Sequence, residues 1–431
     1  MSPPGPARLR TLAVAGFLTG AAVRLLALPL PGTSDVPLFK AWAHGAATRG
    51  VTRVYGAEIE WAGRQWKQVN YPPLSMGLFA LTAHAYGVID AARGDSRLYT
   101  VLLKLPALLS DAGLAALLFL LLRPGGQDAA RTAALAYWLN PAVVLDGAVL
   151  GYQDPVVALP AVAALAAAAA GRPALCGALA GSALLLKPQA VLLAPALLLA
   201  LGADPRGAVR ALTRAAAAAV LVGALVLAPF VFAGTLGTMV TAIRQLTTHD
   251  MYSADAANLW WLVTWAKRAA AQWGESGGAA LTAPVRILRI SMAETQGLPN
   301  PRPLGSLLVL AAAAWGAWRL RGRRDLGLLA ALGAFVVHAY FTLGVGVHEN
   351  HLYLAVPLLA LAASLRPAFR GILLAVTAVT ALNLDFIYGF GQGVGGALPR
   401  GLTGVDATVI LAAFNVAAFA WHARVLAREA A

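Results

Sequence analysis

Residues 33–74 read TSDVPLFKAWAHGAATRGVTRVYGAEIEWAGRQWKQVNYPPL and separate two apolar segments of the chain. A polar stretch of roughly forty residues is uncommon in a compact chain, and long loops on a rigid scaffold tend to carry function. The apolar segment before it covers residues 11–31, and the Pro72-Pro73 pair at its end is typical of a helix start. Whether this next helix, Pro73–Ile89, crosses a membrane decides which side every later segment faces.

The composition is that of a polytopic membrane protein. Of 431 residues 59% are hydrophobic and 12% are charged, and the mean hydropathy is +0.69, which is far outside the range of soluble domains. The net charge of +14 indicates membrane topology rather than nucleic-acid binding, because the arginines stand in short connections between apolar segments. Cys176 is the only cysteine, which excludes an intramolecular disulfide and a thiolate metal cluster. No nucleotide-binding Gly-rich loop or Walker-type pattern occurs.

The apolar segments predict an all-α, polytopic integral membrane protein with about 12 transmembrane helices plus a juxtamembrane helix, Pro73–Ile89. The first segment lacks the cleavage pattern of a secretory signal and is expected to remain as a span. The predicted spans cover residues 11–31, 99–122, 132–149, 155–170, 173–186, 188–203, 211–233, 304–320, 326–346, 352–365, 369–388 and 406–423. They predict a transmembrane module at 1–233 with its first outer loop at 32–98, a long outer loop at 234–303, and a C-terminal transmembrane module at 304–431.

The arginines favour a topology in which the Pro73 helix does not cross the membrane. The arginine clusters in alternate connections then all fall on one side, which the positive-inside rule makes cytoplasmic. They contain Arg8, Arg10, Arg123, Arg131, Arg172, Arg206, Arg210, Arg214, Arg319, Arg321, Arg323, Arg324, Arg366, Arg370, Arg424 and Arg428. Both termini are then cytoplasmic. The abundance of Ala, Gly, Leu and Arg indicates a GC-rich bacterial genome, so the expected location is a bacterial inner (plasma) membrane.

The same topology places the unusual polar segments together on the extracytoplasmic face. They are Asp35, Asp146–Asp154, Lys187–Gln189, the loop 234–303 and His348–His351, and none of them was used to set the topology. This convergence predicts a site on that face.

Asp35 is the candidate catalytic residue. It follows the first span closely, so its carboxylate lies near the membrane surface and is placed to accept a proton from a hydroxyl that attacks a sugar carbon. The alternative is a solvated Asp that caps the next helix. The turn Tyr71-Pro72-Pro73-Leu74 starts a helix and is also expected to shape the wall of an outer cavity, with Tyr71 as a substrate contact.

Asp146 lies within an apolar segment, where an ionisable residue is costly and usually faces a cavity or a partner. Gln153 and Asp154 follow at the end of that segment and are candidates for binding sugar hydroxyls or an acceptor. The alternative is that Asp154-Pro155 caps the next helix.

Lys187-Pro188-Gln189 breaks an apolar run into two short helices, and such breaks are tolerated where they line a cavity. A lysine at this depth either snorkels outward or meets an anion, for which a phosphate is the sharper hypothesis. Lys187 and Gln189 are therefore candidate substrate-binding residues.

His348-Glu349-Asn350-His351 is the most polar point between two apolar spans. At helical spacing His348 and His351 share one face, and their imidazoles are placed to donate hydrogen bonds to a leaving phosphate, with Glu349 beside them. Metal ligation is the alternative, although two His and one Glu at this spacing do not form a zincin helix.

Two further groups are given structural roles. The aromatic residues Tyr252, Trp260, Trp261 and Trp265 of the loop 234–303 are typical interface anchors, although aromatic rings also stack on sugars. Lys104 and Asp111 stand two helical turns apart on one face and are predicted to be structural partners.

In this order the motifs resemble the GT-C superfamily of polytopic glycosyltransferases, which take sugar from a polyprenyl-phosphate carrier. The nearest resemblance is to the dolichyl-phosphate-glucose-dependent glucosyltransferases, with their Asp in the first luminal loop, Tyr-Pro-Pro-Leu, Phe-Gln-Tyr-Asn, Lys-Gln and His-Glu-Lys. The resemblance covers roughly residues 10–365. The chain departs from that branch at Asp154, where the branch has Tyr-Asn, and at Asn350, where it has Lys.

The resemblance implies an inverting hexosyltransferase with Asp35 as general base and with His348 and Lys187 near the donor phosphate. The implied donor is a polyprenyl-phosphate glucose or mannose, and the acceptor is a lipid-linked or other extracytoplasmic glycan of the cell envelope. No cofactor and no nucleic acid are implied. A divalent ion shared by Asp35 and Asp154 is an open alternative that no feature requires.

Two other functions compete with a glycosyltransferase. A transporter or flippase of a lipid-linked or charged solute predicts internal repeats and charge pairs near the membrane midplane. The chain shows no convincing repeat, and its polar residues cluster at one face. A non-catalytic assembly subunit predicts that function does not depend on Asp35.

Overall fold

A computed structural model describes residues 6–202, 204, 206–244, 249–401 and 404–431. The remaining positions, which include the start of the first predicted module and part of the predicted outer loop 234–303, lie outside the described residues. The α-helices are α1 (Pro6–Ala27), α2 (Asp35–Arg49), α3 (Pro73–Gly87), α4 (Arg97–Leu122), α5 (Gln127–Trp138), α6 (Pro141–Val143), α7 (Asp154–Ala169), α8 (Pro173–Leu186), α9 (Ala194–Gly202), α10 (Ala208–Phe232), α11 (Leu236–Arg244), α12 (Leu259–Ser276), α13 (Ala279–Thr282), α14 (Ile290–Thr295), α15 (Arg302–Arg319), α16 (Leu326–Leu343), α17 (Ala355–Leu365), α18 (Arg370–Tyr388) and α19 (Ala407–Ala430).

The apolar helices account for the membrane-spanning part of the chain. Within the described residues, six stretches are helical, long and apolar enough to cross a membrane: Arg10–Ala27, Arg97–Gly125, Ala208–Phe232, Leu326–Leu343, Pro367–Tyr388 and Ala407–Ala430. Gln127–Trp138 and Pro141–Leu150, bent by 45°, make a seventh if they form one span. Shorter apolar stretches are Asp154–Ala169, Pro173–Leu186, Pro188–Gly202 and Ala355–Leu365. Each predicted apolar segment coincides with a helix, so the predicted all-α polytopic fold is confirmed.

The stretch 33–74 is folded, and the prediction of a polar loop is wrong. Its first part is α2, in which buried apolar side chains such as Val36, Phe39 and Ala43 recur on one face at helical spacing. Its second part is the antiparallel hairpin of β1 (Ile59–Trp61) and β2 (Arg64–Trp66). Both residues of the connecting turn have positive φ, 53° at Ala62 and 74° at Gly63, which suits the twist of a two-residue hairpin.

Aromatic side chains join α2, the hairpin and α3 into one buried layer. Phe39 stacks on Phe79 of α3 with ring centroids 5.1 Å apart, and Trp42 lies 5.5 Å from Tyr71. The indole of Trp42 donates a hydrogen bond to the carbonyl of Lys67 at 2.7 Å. These contacts fix the chain between the first span and α3. The helix α3 begins at Pro73 as predicted and is not among the described helices that are long enough to cross a membrane.

The chain forms two compact units. The first contains the described residues within 1–191, 201–248 and 391–393, and the second those within 192–200, 249–390 and 394–431. The sequence-based division at residues 233 and 303 stays a prediction, as does the orientation of the termini.

Three expected interface anchors are core residues of the second unit. Tyr252, Trp260 and Trp261 are 4%, 6% and 1% exposed. The indole of Trp261 donates to Thr408 Oγ1 at 2.8 Å, and that of Trp260 donates to the carbonyl of Leu343 at 2.7 Å. The interface interpretation of these rings is therefore wrong.

Candidate active site

Lys187 and Asp154 form a buried ion pair in the first unit. The chain leaves α8 at Lys187 in an extended conformation, and Pro188 starts a 3-10 turn over Pro188–Leu193. Lys187 Nζ lies 2.6 Å from Asp154 Oδ1, and the two side chains are 9% and 11% exposed. The interpretation of Lys187 as an outward-snorkelling residue is therefore wrong. Its ammonium does meet an anion, and that anion is the carboxylate of Asp154.

Other predicted site residues gather around this pair. Tyr71 and Asp146 are both within electrostatic range of the Lys187 ammonium. Ser75, in the first turn of α3, donates to the carbonyl of Leu186 at 2.7 Å and so joins the Tyr-Pro-Pro turn to the end of α8. The structure thus brings together residues from motifs that are more than a hundred positions apart, as the predicted topology requires.

Asp146 lies on a π-helical segment, Val144–Leu150, and is fully buried. The wider turn leaves carbonyls without α-helical partners, and Lys104 Nζ binds two of them, Ala148 O at 3.1 Å and Val149 O at 2.7 Å, together with Leu30 O at 2.8 Å. Segments of this kind occur often at functional sites. Lys104 therefore shapes the backbone that carries Asp146.

The predicted partnership of Lys104 with Asp111 is wrong. Asp111 Oδ1 accepts a hydrogen bond from the Tyr137 hydroxyl at 2.6 Å, and Asp111 Oδ2 lies 3.5 Å from Arg24 Nε. Spacing along one helix places two side chains on one face but does not identify the neighbours that other helices supply.

Gln153 is buried, and its amide contacts the backbone. Its Nε2 lies 3.3 Å from Leu103 O and 3.4 Å from Gly151 O. Asp154 is the first residue of α7, with Pro155 in the first turn, but the cap position is Gln153 and no side-chain hydrogen bond caps the helix, so the capping alternative for Asp154 is wrong. Gln189 is half-buried in the 3-10 turn after Lys187. Sugar binding by Gln153 and Gln189 stays a prediction.

Asp35 is the first residue of α2, at a turn that is fixed beside the segment 146–154. The amide of Thr33 donates to Leu150 O at 3.0 Å, and the amide of Asp35 donates to Thr33 Oγ1 at 3.3 Å. The amide of Gln392 donates to Gly32 O at 2.8 Å from the other side. Asp35 is partly exposed. The turn therefore holds the candidate base next to the chain that supplies Asp146 and Asp154.

Replacing Gly32 by alanine is expected to displace this turn. Gly32 has φ +74°, and an added Cβ would lie 2.6 Å from Leu150 O and 2.5 Å from Val36 Cγ2. The clash adds to the strain of a side chain in the left-handed region, so we expect a loss of about 2–3 kcal/mol in the free energy of unfolding and a loss of function. Gly171→Ala is the matched control, because Gly171 has φ +68° with open space around the added Cβ. Equal shifts in melting temperature for the two variants would show that the contact with Leu150 is unimportant.

The second unit contains a histidine cluster. His348 Nε2 lies 3.4 Å from His249 Nε2, and the rings of His348 and His351 are 5.3 Å apart. His348 Nδ1 lies 3.7 Å from Glu349 Oε2, and Glu349 is 2% exposed. The segment is a turn that precedes α17 rather than a helix, so the expected helical spacing is wrong although the two rings do meet. Among the described residues, no three His, Cys, Asp or Glu side chains are arranged to hold a metal ion, and no metal is assigned.

Sequence reasoning gave no role to Asp255 or to the pairing of His249 with His348. Asp255 has φ +64°, a left-handed conformation that Asp tolerates better than most residues. It is held there by bridges of residues 254 and 255 to His348 and by Asn383 Nδ2, which donates to Asp255 O at 3.1 Å. Backbone strain of this kind concentrates at functional sites. An acidic residue in a loop of small residues is a weak signal in sequence alone.

Burial raises the pKa of Asp255 to about 6, with a further contribution from the charge of Glu349, whereas His348 and Arg400 act in the opposite direction. A carboxyl with a raised pKa binds its proton more tightly in the folded chain. Its contribution to the free energy of unfolding is therefore present below the ordinary value of 3.8 and is lost as the pH rises through about 6.

We therefore expect the melting temperature of the protein in detergent to fall between pH 4 and pH 7 by more than that of Asp255→Asn. Asparagine keeps the tolerance for positive φ and removes the titration. Asp250→Asn is the control. Hydrogen bonds from Ser291 lower the pKa of the exposed Asp250 carboxyl, so removing this group is expected to change the pH dependence of the melting temperature in the opposite direction. Identical pH profiles for the protein and Asp255→Asn would contradict the assignment.

Comparisons with known proteins agree with the fold. No protein-family model and no curated protein matches the chain. The structure is similar to that of ArnT from Cupriavidus metallidurans bound to undecaprenyl phosphate, with a TM-score of 0.54 and 15% identity over 99% of this chain and 78% of ArnT. The apo state of the same protein gives a TM-score of 0.52 and 13% identity over 98% and 77% of the two chains. At this level of identity the likeness shows that the chain shares the overall fold of ArnT, and the predicted place in the dolichyl-phosphate-glucose branch of the GT-C superfamily stays a prediction.

Proposed function

We propose that this chain is an integral membrane glycosyltransferase that takes a sugar from a polyprenyl-phosphate carrier. The observation that carries the proposal is the buried pair of Lys187 and Asp154, 2.6 Å apart, in the same unit as the turn that positions Asp35. A GT-C fold supports it, since ArnT, which shares that fold, has been solved with undecaprenyl phosphate bound. The donor sugar we propose is a hexose, glucose or mannose, and the acceptor is a lipid-linked or other extracytoplasmic glycan.

In the proposed reaction Asp35 takes the proton of an acceptor hydroxyl. The hydroxyl oxygen forms a bond to the anomeric carbon from the face opposite the phosphate, and the bond from that carbon to the phosphate oxygen breaks. The polyprenyl phosphate leaves with the electron pair of that bond, so the anomeric configuration inverts. Positive charge near the departing phosphate lowers the barrier most where water is excluded. In this proposal the buried ammonium of Lys187 supplies that charge while Asp154, 2.6 Å away, holds it in position. The role of His348 at the leaving phosphate stays a prediction.

The function is tested with purified protein and a panel of synthetic polyprenyl-phosphate sugars that carry glucose, mannose or a pentose. We expect sugar transfer, or slow hydrolysis of the donor, with at least one member of the panel. Nucleotide sugars serve as control donors and are expected to be inert. Tight binding of the lipid with no turnover of any donor would favour a transporter or flippase instead.

A further inference from the structure

A groove of about 420 Å³ runs between α1 and α4 of the first unit, with α5 beneath it. Both helices pack on α5 and present one face each to the groove. On α1 the groove is lined by Ala13, Val14 and Phe17, which stand at helical spacing. The apolar lining and the volume of the groove suit a hydrocarbon chain.

Small residues on α4 create this space. Ala112 and Ala116 line the groove and are exposed, with Phe119 one turn further along. Leucine at either alanine would fill the slot, and the neighbouring apolar positions of α4 do carry leucine. The gap is therefore a property of the sequence at these positions.

Two arginines line the same groove. Arg10 is exposed and forms no ion pair with a described residue. Arg131 donates to Asp128 Oδ1 at 2.8 Å and to Gln127 Oε1 at 3.0 Å, and the Asp128 side chain is 50% exposed. The groove thus carries two guanidinium groups and one partly solvated carboxylate, which leaves it positively charged.

The groove is separate from the candidate active site. It lies at the N-terminal part of α1, whereas the turn of Asp35 follows the C-terminal end of the same helix. Ala27 stands seventeen positions after Arg10, which corresponds to about 25 Å along a helix. A molecule in the groove therefore enters from the opposite membrane face.

We propose that this groove binds an anionic phospholipid of the surrounding bilayer. One acyl chain lies along Ala112 and Ala116, and the phosphate is held by Arg10 and Arg131. Guanidinium groups bind phosphate through paired hydrogen bonds, and basic pockets between transmembrane helices favour anionic lipids over zwitterionic ones. Arginines that serve only as topology anchors need no apolar slot beside them.

The test is native mass spectrometry of the purified full chain with phosphatidylglycerol, phosphatidylcholine or undecaprenyl phosphate added in turn. We expect one phosphatidylglycerol to bind more tightly than phosphatidylcholine by on the order of tenfold, since each basic residue beside an anionic lipid contributes roughly a factor of five. Arg10→Gln with Arg131→Gln removes this preference. Arg370→Gln with Arg424→Gln, two exposed arginines that do not line the groove, keeps it.

A second variant tests the contribution of the apolar groove independently of the two arginines. Ala116→Phe fills the groove and leaves both arginines in place, and we expect it to lose the bound phosphatidylglycerol. Leu120→Phe, one turn further along the same helix at a residue that does not line the groove, is its control and retains the lipid. Equal affinity for the two phospholipids, undiminished binding by Ala116→Phe, or a preference for undecaprenyl phosphate over phosphatidylglycerol would each overturn the proposal.

Discussion

Replacing Asp35 by asparagine is expected to lower the rate of sugar transfer by about 10²- to 10⁴-fold, the range that a positioned general base contributes. Asparagine has the size of aspartate but cannot accept the proton of the acceptor hydroxyl. The binding of donor is expected to persist, because the loss falls on the chemical step rather than on affinity. Initial rates over a range of donor concentrations, with the donor that gave turnover in the panel, measure kcat and KM separately.

Glu58→Gln is the matched control for this experiment. Glu58 is an exposed carboxylate in the same segment between the first span and α3. We expect full transfer from Glu58→Gln and unchanged melting temperatures for both variants. Transfer at the normal rate by Asp35→Asn would move the base elsewhere, with Asp154 as the next candidate, and would leave the glycosyltransferase assignment standing.

Replacing Lys187 by methionine is expected to destabilise the protein by about 3–5 kcal/mol, because it leaves the carboxylate of Asp154 buried without its cation. The side chains of both residues are nearly inaccessible, at 9% and 11% exposed, so water cannot replace the lost partner. The double variant Lys187→Met with Asp154→Leu removes both charges and is expected to recover most of the stability. Thermal or denaturant unfolding of the single and double variants measures the coupling between them.

The pair of Lys40 and Asp95 offers the comparison. Its atoms are also 2.6 Å apart, but the Asp95 side chain is 54% exposed and stays hydrated when the lysine is removed. Lys40→Met is therefore expected to cost less than Lys187→Met. If the two single variants lose the same stability, or if the double variant recovers none, burial of the charge is not what makes the Lys187 pair important.

The length and hydropathy of each apolar segment were sufficient to predict the membrane helices. Each apolar segment became a helix because its length and hydropathy leave no other way to satisfy its backbone in a bilayer. The prediction for 33–74 was wrong because α2 mixes charged residues with alanine, and its apolar face packs on residues from other segments, such as Ile59 of β1 and Phe79 of α3. Partners that lie far along the chain do not show in a local pattern.

The sequence was sufficient to predict several residues of the candidate site, but not the ion pairs and hydrogen bonds that they form. Topology placed Asp154 and Lys187 at one face, and the structure joins them directly. The left-handed conformation of Asp255 and its contact with His348 depend on a strand-like pairing across more than ninety residues, which no spacing rule predicts. The predicted pairing of Lys104 with Asp111 was wrong for a similar reason. A shared helix face did not show that Lys104 binds backbone carbonyls of another segment.

The wide turn at residues 144–150 also affects how this site can evolve. A π-helical turn accommodates one residue more than an α-helical turn, so loss of one residue from Val144–Leu150 would restore regular winding. Because the extra residue is accommodated inside the wide turn, its loss changes the facing of side chains within the turn by up to about 100° and leaves the residues of α7 unchanged. A carboxylate at this depth can therefore be moved out of, or into, the site by one change of chain length, a route to new specificity that point substitution does not offer.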